Sequence, residues 1–439
     1  MKRYICMAWI LGWGLVPAVW AQVDFTRFYV IGDSLTAGFS HGALNELFQQ
    51  YSYPALIAAQ VGNTDFQQPL VSDPGIPPRL KLFSIFPQTV IQPVPGLGTP
   101  TNLRLPRPYN NLAVPGATTA DVMNTVSSET NPLFDVVLRG LGTQFQQLVA
   151  SQPTFVIVWI GNNDLLAGVL AATIIENVTV TPLSVFVNQF STLINGLRTL
   201  LPNTKVLVIN LPDATKTPFA ATIPPCVPDP VTRQCVLVNG APIPLLGTRG
   251  PIPQDALVTL AASSLIAQGY GIPKNLGGNG QPLPDDVVLY PDEIAAYRSL
   301  LDAYNEKIAD IARNAGYEVF DFRTIFDAIA EHGYPVGGVE LTGRYLLGGL
   351  FSYDAIHPTP LGYAVLANEI IRFLNLKMGA DIEMIDLLPF ITGEKGAYPS
   401  GDTGVGGATV VYSQQAHAQM LRLFAPKYWR RIHSGDAVQ

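Results

Sequence analysis

Three apolar runs constrain this chain more than any other feature. Val23 to Ile31, Thr154 to Ile160 and Lys205 to Leu211 are β-prone and lack a polar alternate face. A strand without that alternation is covered on both sides, as in a parallel sheet flanked by helices. Stretches of helical character lie between and after the runs. They are Ala43 to Val61, the amphipathic Leu133 to Ala150, Ser184 to Leu201, and a segment from the acidic start at Asp292 and Glu293 to about Ala315. A last strand is expected at Glu318 to Phe322, and a last helix at Leu361 to Leu376 with Thr359 as its N-cap and Pro360 at its first position. Strand and helix in alternation predict an α/β domain around a parallel sheet.

Two stretches break this rhythm. Residues 65–110 are rich in Pro, Gly and Gln, and residues 212–290 in Pro and Gly; the second reads as a lid, a small subdomain or a structural excursion. An apolar piece inside it, Leu257 to Ile266, has helical character. The main domain is expected over 22–378, followed by an extension, 379–439, with a glycine-rich part at Gly401 to Gly407 and a basic end at Lys427, Arg430 and Arg431.

Composition narrows the class. Of 439 residues 48% are hydrophobic and only 13% charged, the mean hydropathy is +0.24 and the formal net charge is -7. Such a chain is neither disordered nor equipped to neutralise phosphates, so nucleic acid is excluded as a partner. Lys2 and Arg3, an apolar run from Tyr4 to Val19 and the closing Val19-Trp20-Ala21 read as a signal peptide over 1–21, cleaved before Gln22. The expected location is secreted or periplasmic. Cys6 would leave with that peptide, and the remaining Cys226 and Cys235 are spaced for a disulfide in an oxidising compartment.

The first run ends in Gly32-Asp33-Ser34-Leu35. Taken alone, Ser34 could simply cap the following helix. A nucleophilic serine needs a base, a group that orients the base, and donors for an oxyanion. Among five histidines, His357 stands three residues after Asp354 at the start of a helix, where a carboxylate can hold the imidazole. Gly116, in a turn after an apolar run, offers a backbone N–H free of side-chain obstruction, and Asn163, after the second buried run, a side-chain amide. Thr36 stands where a Gly-x-Ser-x-Gly elbow would have glycine, and no zinc, Walker or dinucleotide motif is present. No metal or organic cofactor is expected.

Four blocks in this order resemble the SGNH hydrolases, the GDSL lipases and esterases: Gly32-Asp33-Ser34-Leu35, Gly116 within Asn111 to Ala117, Gly161-Asn162-Asn163-Asp164, and Asp354-Ala355-Ile356-His357. The resemblance covers roughly 24–376. It implies a three-layer α/β/α flavodoxin-like sandwich, with the insertions added to it. It implies Ser34 as nucleophile, His357 as base, Asp354 as its orienting partner, and Ser34, Gly116 and Asn163 as oxyanion donors. The expected function is a serine esterase or lipase acting on small-molecule or lipid esters, with peripheral contact to a lipid or polymer surface. The alternatives are an acetyl esterase acting on polysaccharide and a catalytically silent binding module.

Overall fold

The computed structural model describes residues 23–84, 89–229, 232, 234–395 and 410–434. The leader over 1–21 and the Gly401 to Gly407 stretch lie outside the described residues. At the centre is a parallel sheet of four strands, β1 (Phe28–Gly32), β2 (Phe155–Trp159), β3 (Lys205–Ile209) and β4 (Glu318–Phe320), lying side by side in that order. Phe28 pairs with Phe155, Phe155 with Lys205, and Leu207 with Glu318. Every residue of β1 and β2 is buried, as their unalternating composition requires.

On the other edge of β1 runs an extended segment, residues 110–114. The Val30 N–H donates to the Asn110 carbonyl (2.9 Å), Leu112 N–H to Val30 (3.0 Å) and Val114 N–H to Gly32 (3.1 Å). The chain thus crosses from β1 to one side and then back to β2 on the other. That reversal makes the gap between the C-terminal ends of β1 and β2 a switch point, where α/β sheets open a crevice.

Helices cover both faces. α2 (Tyr53–Gln60) packs on α8 (Pro360–Met378) against one face. α3 (Gln144–Ser151), α5 (Leu183–Leu200) and α6 (Pro291–Asn314) pack together against the other. The three-layer α/β/α sandwich is therefore observed. Before them in the chain comes α1 (Ser34–Ala37), between them α4 (Asn163–Leu170) and α7 (Phe322–His332), and after them α9 (Gln414–Phe424) and α10 (Pro426–Ser434).

Two expected helices are broken. Over Ala43 to Val61 the chain stops after Glu46–Gln49 and restarts at Tyr53, because the Ser52 hydroxyl accepts from the Ala55 N–H (3.4 Å) and Pro54 sits in the new first turn. Over Leu133 to Ala150 it stops at Leu138, where Arg139, Gly140 and Gly142 take positive φ, and Thr143 begins α3 with a capping box to Gln146. The first strand starts at Phe28, not Val23, and Leu257 to Ile266 divides into a strand pairing and a short helix, Ser263–Ala267. Sequence periodicity missed α4, α7, α9 and α10.

The insertions carry structure of their own. Within 65–110, Leu80–Ser84 and Thr89–Pro93 pair antiparallel, and Val410–Tyr412 from the C-terminal extension joins them in parallel. Residues 212–290 form short two-residue ladders braced by the Cys226–Cys235 disulfide. Phe219, Val258 and Leu260 of this insertion belong to the same apolar core as the sheet. Among the described residues no helix is long and apolar enough to cross a membrane.

Candidate active site

The strand β1 ends in a turn that only glycine can begin. A Cβ on Gly32 would lie 2.4 Å from the Trp159 carbonyl oxygen and 2.7 Å from Thr36 Oγ1. Asp33, not Ser34, caps α1: its Oδ1 accepts from the Leu35 N–H at 3.2 Å. The capping role weighed for Ser34 is thus taken by its neighbour, and the serine hydroxyl is left for another partner. That partner is His357, whose Nε2 lies 2.8 Å from Ser34 Oγ.

His357 is delivered by a turn just before α8. Thr359 caps that helix, accepting from the Gly362 N–H (3.0 Å) and donating to the Gly349 carbonyl (2.6 Å). Within the turn Ala355 takes a φ of 63°, a left-handed conformation that folds Asp354 back toward His357. Asp354 Oδ2 stands 3.0 Å from His357 Nδ1 and accepts the Gly42 N–H at 2.8 Å. Its Oδ1 accepts the N–H groups of Ile356 (2.9 Å) and His357 (2.7 Å). Burial alone would raise this carboxyl, but the His357 charge and these bonds outweigh it and hold Asp354 below the usual carboxylate range. An ionised Asp354 keeps the imidazole proton on Nδ1, which leaves Nε2 free to accept the Ser34 hydroxyl proton.

The other two expected residues flank this chain. Gly116 has a φ of 84° and lies two residues beyond Val114, the residue bonded to Gly32. Asn163 opens α4, next to Asn162, whose Nδ2 donates to Asp33 Oδ2 at 2.9 Å. Asn163 Nδ2 donates to the carbonyl of Ala117, the residue after Gly116, at 2.9 Å. An amide nitrogen carries two hydrogens, so that bond leaves one for another acceptor. Hydrogen bonding thus connects Ser34, His357 and Asp354 in series and links Asn163 to the turn that holds Gly116 and Ala117.

These residues line two separate cavities. Ser34 and His357 line one whose walls are almost wholly apolar, among them Trp159, Leu166, Leu301, Phe322 and Phe351. Gly116 and Asn163 line the other, with Thr118, Asp121, Gln189, Lys427 and Arg430. Phe424 from α9 lies in that second wall, with its ring 5.3 Å from the His357 ring and 5.4 Å from Phe39. Sequence reasoning missed Gly42, Asn162 and Phe424. Asn162 stood inside a recognised block; Gly42 acts through its backbone and Phe424 through a tail with no motif, so neither carried a signal. Among the described residues no cluster of His, Cys, Asp and Glu is placed to hold a metal ion.

The family description GDSL-like Lipase/Acylhydrolase matches residues 28–370. No curated protein sequence matches the chain. Solved structures similar to it include a catalytic mutant of the acetylxylan esterase Axe2 from Geobacillus stearothermophilus, with 12% identity, a TM-score of 0.38, and coverage of 80% of this chain and 95% of that one. The esterase EstA from Pseudoalteromonas sp. is 12% identical with a TM-score of 0.33, covering 80% and 99%. A family 3 carbohydrate esterase from Clostridium thermocellum is 15% identical with a TM-score of 0.33, covering 81% and 98%.

Proposed function

The chain belongs to the GDSL-like lipase/acylhydrolase family, which makes it an ester-hydrolysing enzyme, and from that premise we propose that it cleaves carboxylic esters of apolar acyl groups through an acyl-enzyme on Ser34. The observation that carries this reading is the unbroken series Ser34 Oγ, His357 Nε2, His357 Nδ1, Asp354 Oδ2, whose serine and histidine line an apolar cavity.

Ser34 Oγ attacks the ester carbonyl carbon while His357 Nε2 takes its proton, and Asp354 compensates the imidazolium. The carbonyl oxygen becomes an oxyanion, held by the backbone N–H groups of Ser34 and Gly116 and the free N–H of Asn163. Collapse breaks the bond to the leaving alcohol, which receives the proton from Nε2. Water then attacks the acyl-serine by the same route, releasing the acid and restoring Ser34. The apolar cavity favours an acyl chain over acetyl. The polar cavity beside Gly116 and Asn163 favours a hydroxylated leaving group, which keeps an acetylated polysaccharide as the second reading.

Ser34→Ala is expected to abolish turnover of 4-nitrophenyl esters and labelling by a fluorophosphonate, with circular dichroism unchanged. Retained labelling would refute Ser34 as the nucleophile. Asn163→Ala is expected to lower kcat by about 10²–10³-fold with little change in KM. Across 4-nitrophenyl esters from acetyl to decanoyl, kcat/KM should rise with chain length; a maximum at acetyl, with release of acetate from acetylated xylan, would favour the carbohydrate reading. Export is part of the proposal, supported by the leader composition of residues 1–21 and by the disulfide.

A further inference from the structure

The C-terminal extension closes the site. Ser34 is 2% exposed and His357 1%. The Leu423 carbonyl oxygen lies 2.8 Å from where a Cβ on Gly116 would stand, so the space that glycine leaves open beside this oxyanion donor is taken by the chain's own tail. Next to it Phe424 lies against His357 and Phe39. α9 also holds the catalytic turn from behind: Gln419 Nε2 donates to the Gly42 carbonyl at 2.9 Å, and the N–H of Gly42 is the one that bonds Asp354. His417 Nε2 pairs with the Leu170 carbonyl at 2.8 Å on the opposite side of the site.

The outer surface of this cover has a different chemistry. Arg422, Lys427 and Arg430 are exposed and Arg431 partly so, and no Asp or Glu occurs between Val410 and Ser434 in a chain whose net charge is -7. Ile432 is exposed among these cations and Trp429 is half-buried beneath Arg422, 4.7 Å from its guanidinium carbon. Cations interleaved with an indole and an aliphatic side chain on a short helix fit the headgroup layer of an anionic bilayer, where charge and apolar area act together. A soluble polyanion would use the charges alone.

We propose that α9 and α10 form an inhibitory cover that docks through Arg422, Lys427, Arg430 and Arg431 on an anionic lipid surface, and that docking draws Leu423 and Phe424 away from Gly116 and His357. The same movement that brings the enzyme to an apolar ester supply uncovers the serine. This deepens the ester-hydrolase reading, on which its rate measurements rest; its binding measurements do not depend on turnover.

The test uses the full chain with phosphatidylglycerol-containing vesicles, phosphatidylcholine vesicles, heparin, and a water-soluble butyrate ester. The anionic vesicles should sediment the protein, speed hydrogen exchange of the α9 amides, and raise kcat/KM on the soluble ester about fivefold or more; phosphatidylcholine and heparin should do none of these. The double variant R422Q/R431Q, which leaves the cavity-lining Lys427 and Arg430 in place, should keep the basal rate and show weaker sedimentation and weaker activation together. Phe424→Ala should have a raised basal rate and a smaller response to vesicles. Absence of sedimentation at low salt, sedimentation with unchanged α9 exchange, or equal activation by heparin would overturn the proposal. Ser34→Ala should sediment like the wild type and show the same faster exchange, so a failure of the serine mechanism is distinguishable from a failure of docking.

Discussion

Two buried carboxylates stand on either side of the Ser34–His357 bond, one in each of the turns that form it, and they ionise in opposite directions. Asp33 and Asp354 are both fully buried. Burial pushes Asp33 up to about 7, and the bonds from Asn162 and the Leu35 N–H only partly offset it. Asp354 meets a comparable burial, yet the His357 charge, the imidazole bond and the N–H groups of His357 and Ile356 bring it below the usual range. Gly42 adds a further donor at 2.8 Å. Burial therefore does not decide the state of either group; the number of converging donors and the proximity of a cation do. One turn holds a fixed anion beside the imidazole, and the other holds a capping group whose charge changes near neutral pH.

Removing the Asp354 charge should have the largest effect. In Asp354→Asn the amide can present N–H to His357 Nδ1, which moves the imidazole proton to Nε2 and leaves no acceptor for Ser34. A fall in kcat of about 10⁴ is expected at pH 8, with the fold intact by circular dichroism. A loss below tenfold would mean that His357 needs no carboxylate partner, and the contrast between the two turns would lose its functional meaning.

Asp33 should appear in stability instead. Its folded-state carboxyl titrates near 7, against an ordinary value near 3.8, so between these values the folded chain binds the extra proton. Its contribution is full below pH 4 and is lost as pH rises through 7. Asp33→Asn lacks this titration. Unfolding by denaturant from pH 4 to pH 8 should shift the stability difference in favour of Asp33→Asn by up to about 4 kcal/mol. A pH-independent difference would show that Asp33 is as ionised as Asp354.

Much of this was legible beforehand, for identifiable reasons. The β1 and β2 runs are apolar on both sides, and that single property fixes a covered parallel sheet. Gly32, Ser34, Gly116, Asn163, Asp354 and His357 each sit where a strand leaves the sheet or a helix begins, so order along the chain already placed them on one rim. The interruptions at Ser52 and Arg139 were hidden because helical periodicity continues through them; a cap and a left-handed residue act locally, below the resolution of a pattern. The cover was hidden for a different reason. Leu423 and Phe424 are apolar residues of an ordinary amphipathic helix, and their meaning comes from Gly116 and His357, which are remote in sequence.

The last test concerns the donor that Asp33 has and Asp354 does not share. Asn162 Nδ2 bonds Asp33 Oδ2 at 2.9 Å and is its one side-chain partner among the described residues. That bond is strong only while the carboxyl is ionised, since an anion accepts more strongly than a neutral acid. Asn162→Ala should therefore cost about 1–3 kcal/mol at pH 8, where wild-type Asp33 is charged, and less at pH 5, where it is protonated. The variant should also raise the Asp33 titration further above 7, visible as a carboxyl resonance moving to higher pH in a ¹³C-labelled sample. Equal costs at both pH values would mean that Asn162 contributes packing alone, leaving burial with no opposing side-chain bond at Asp33.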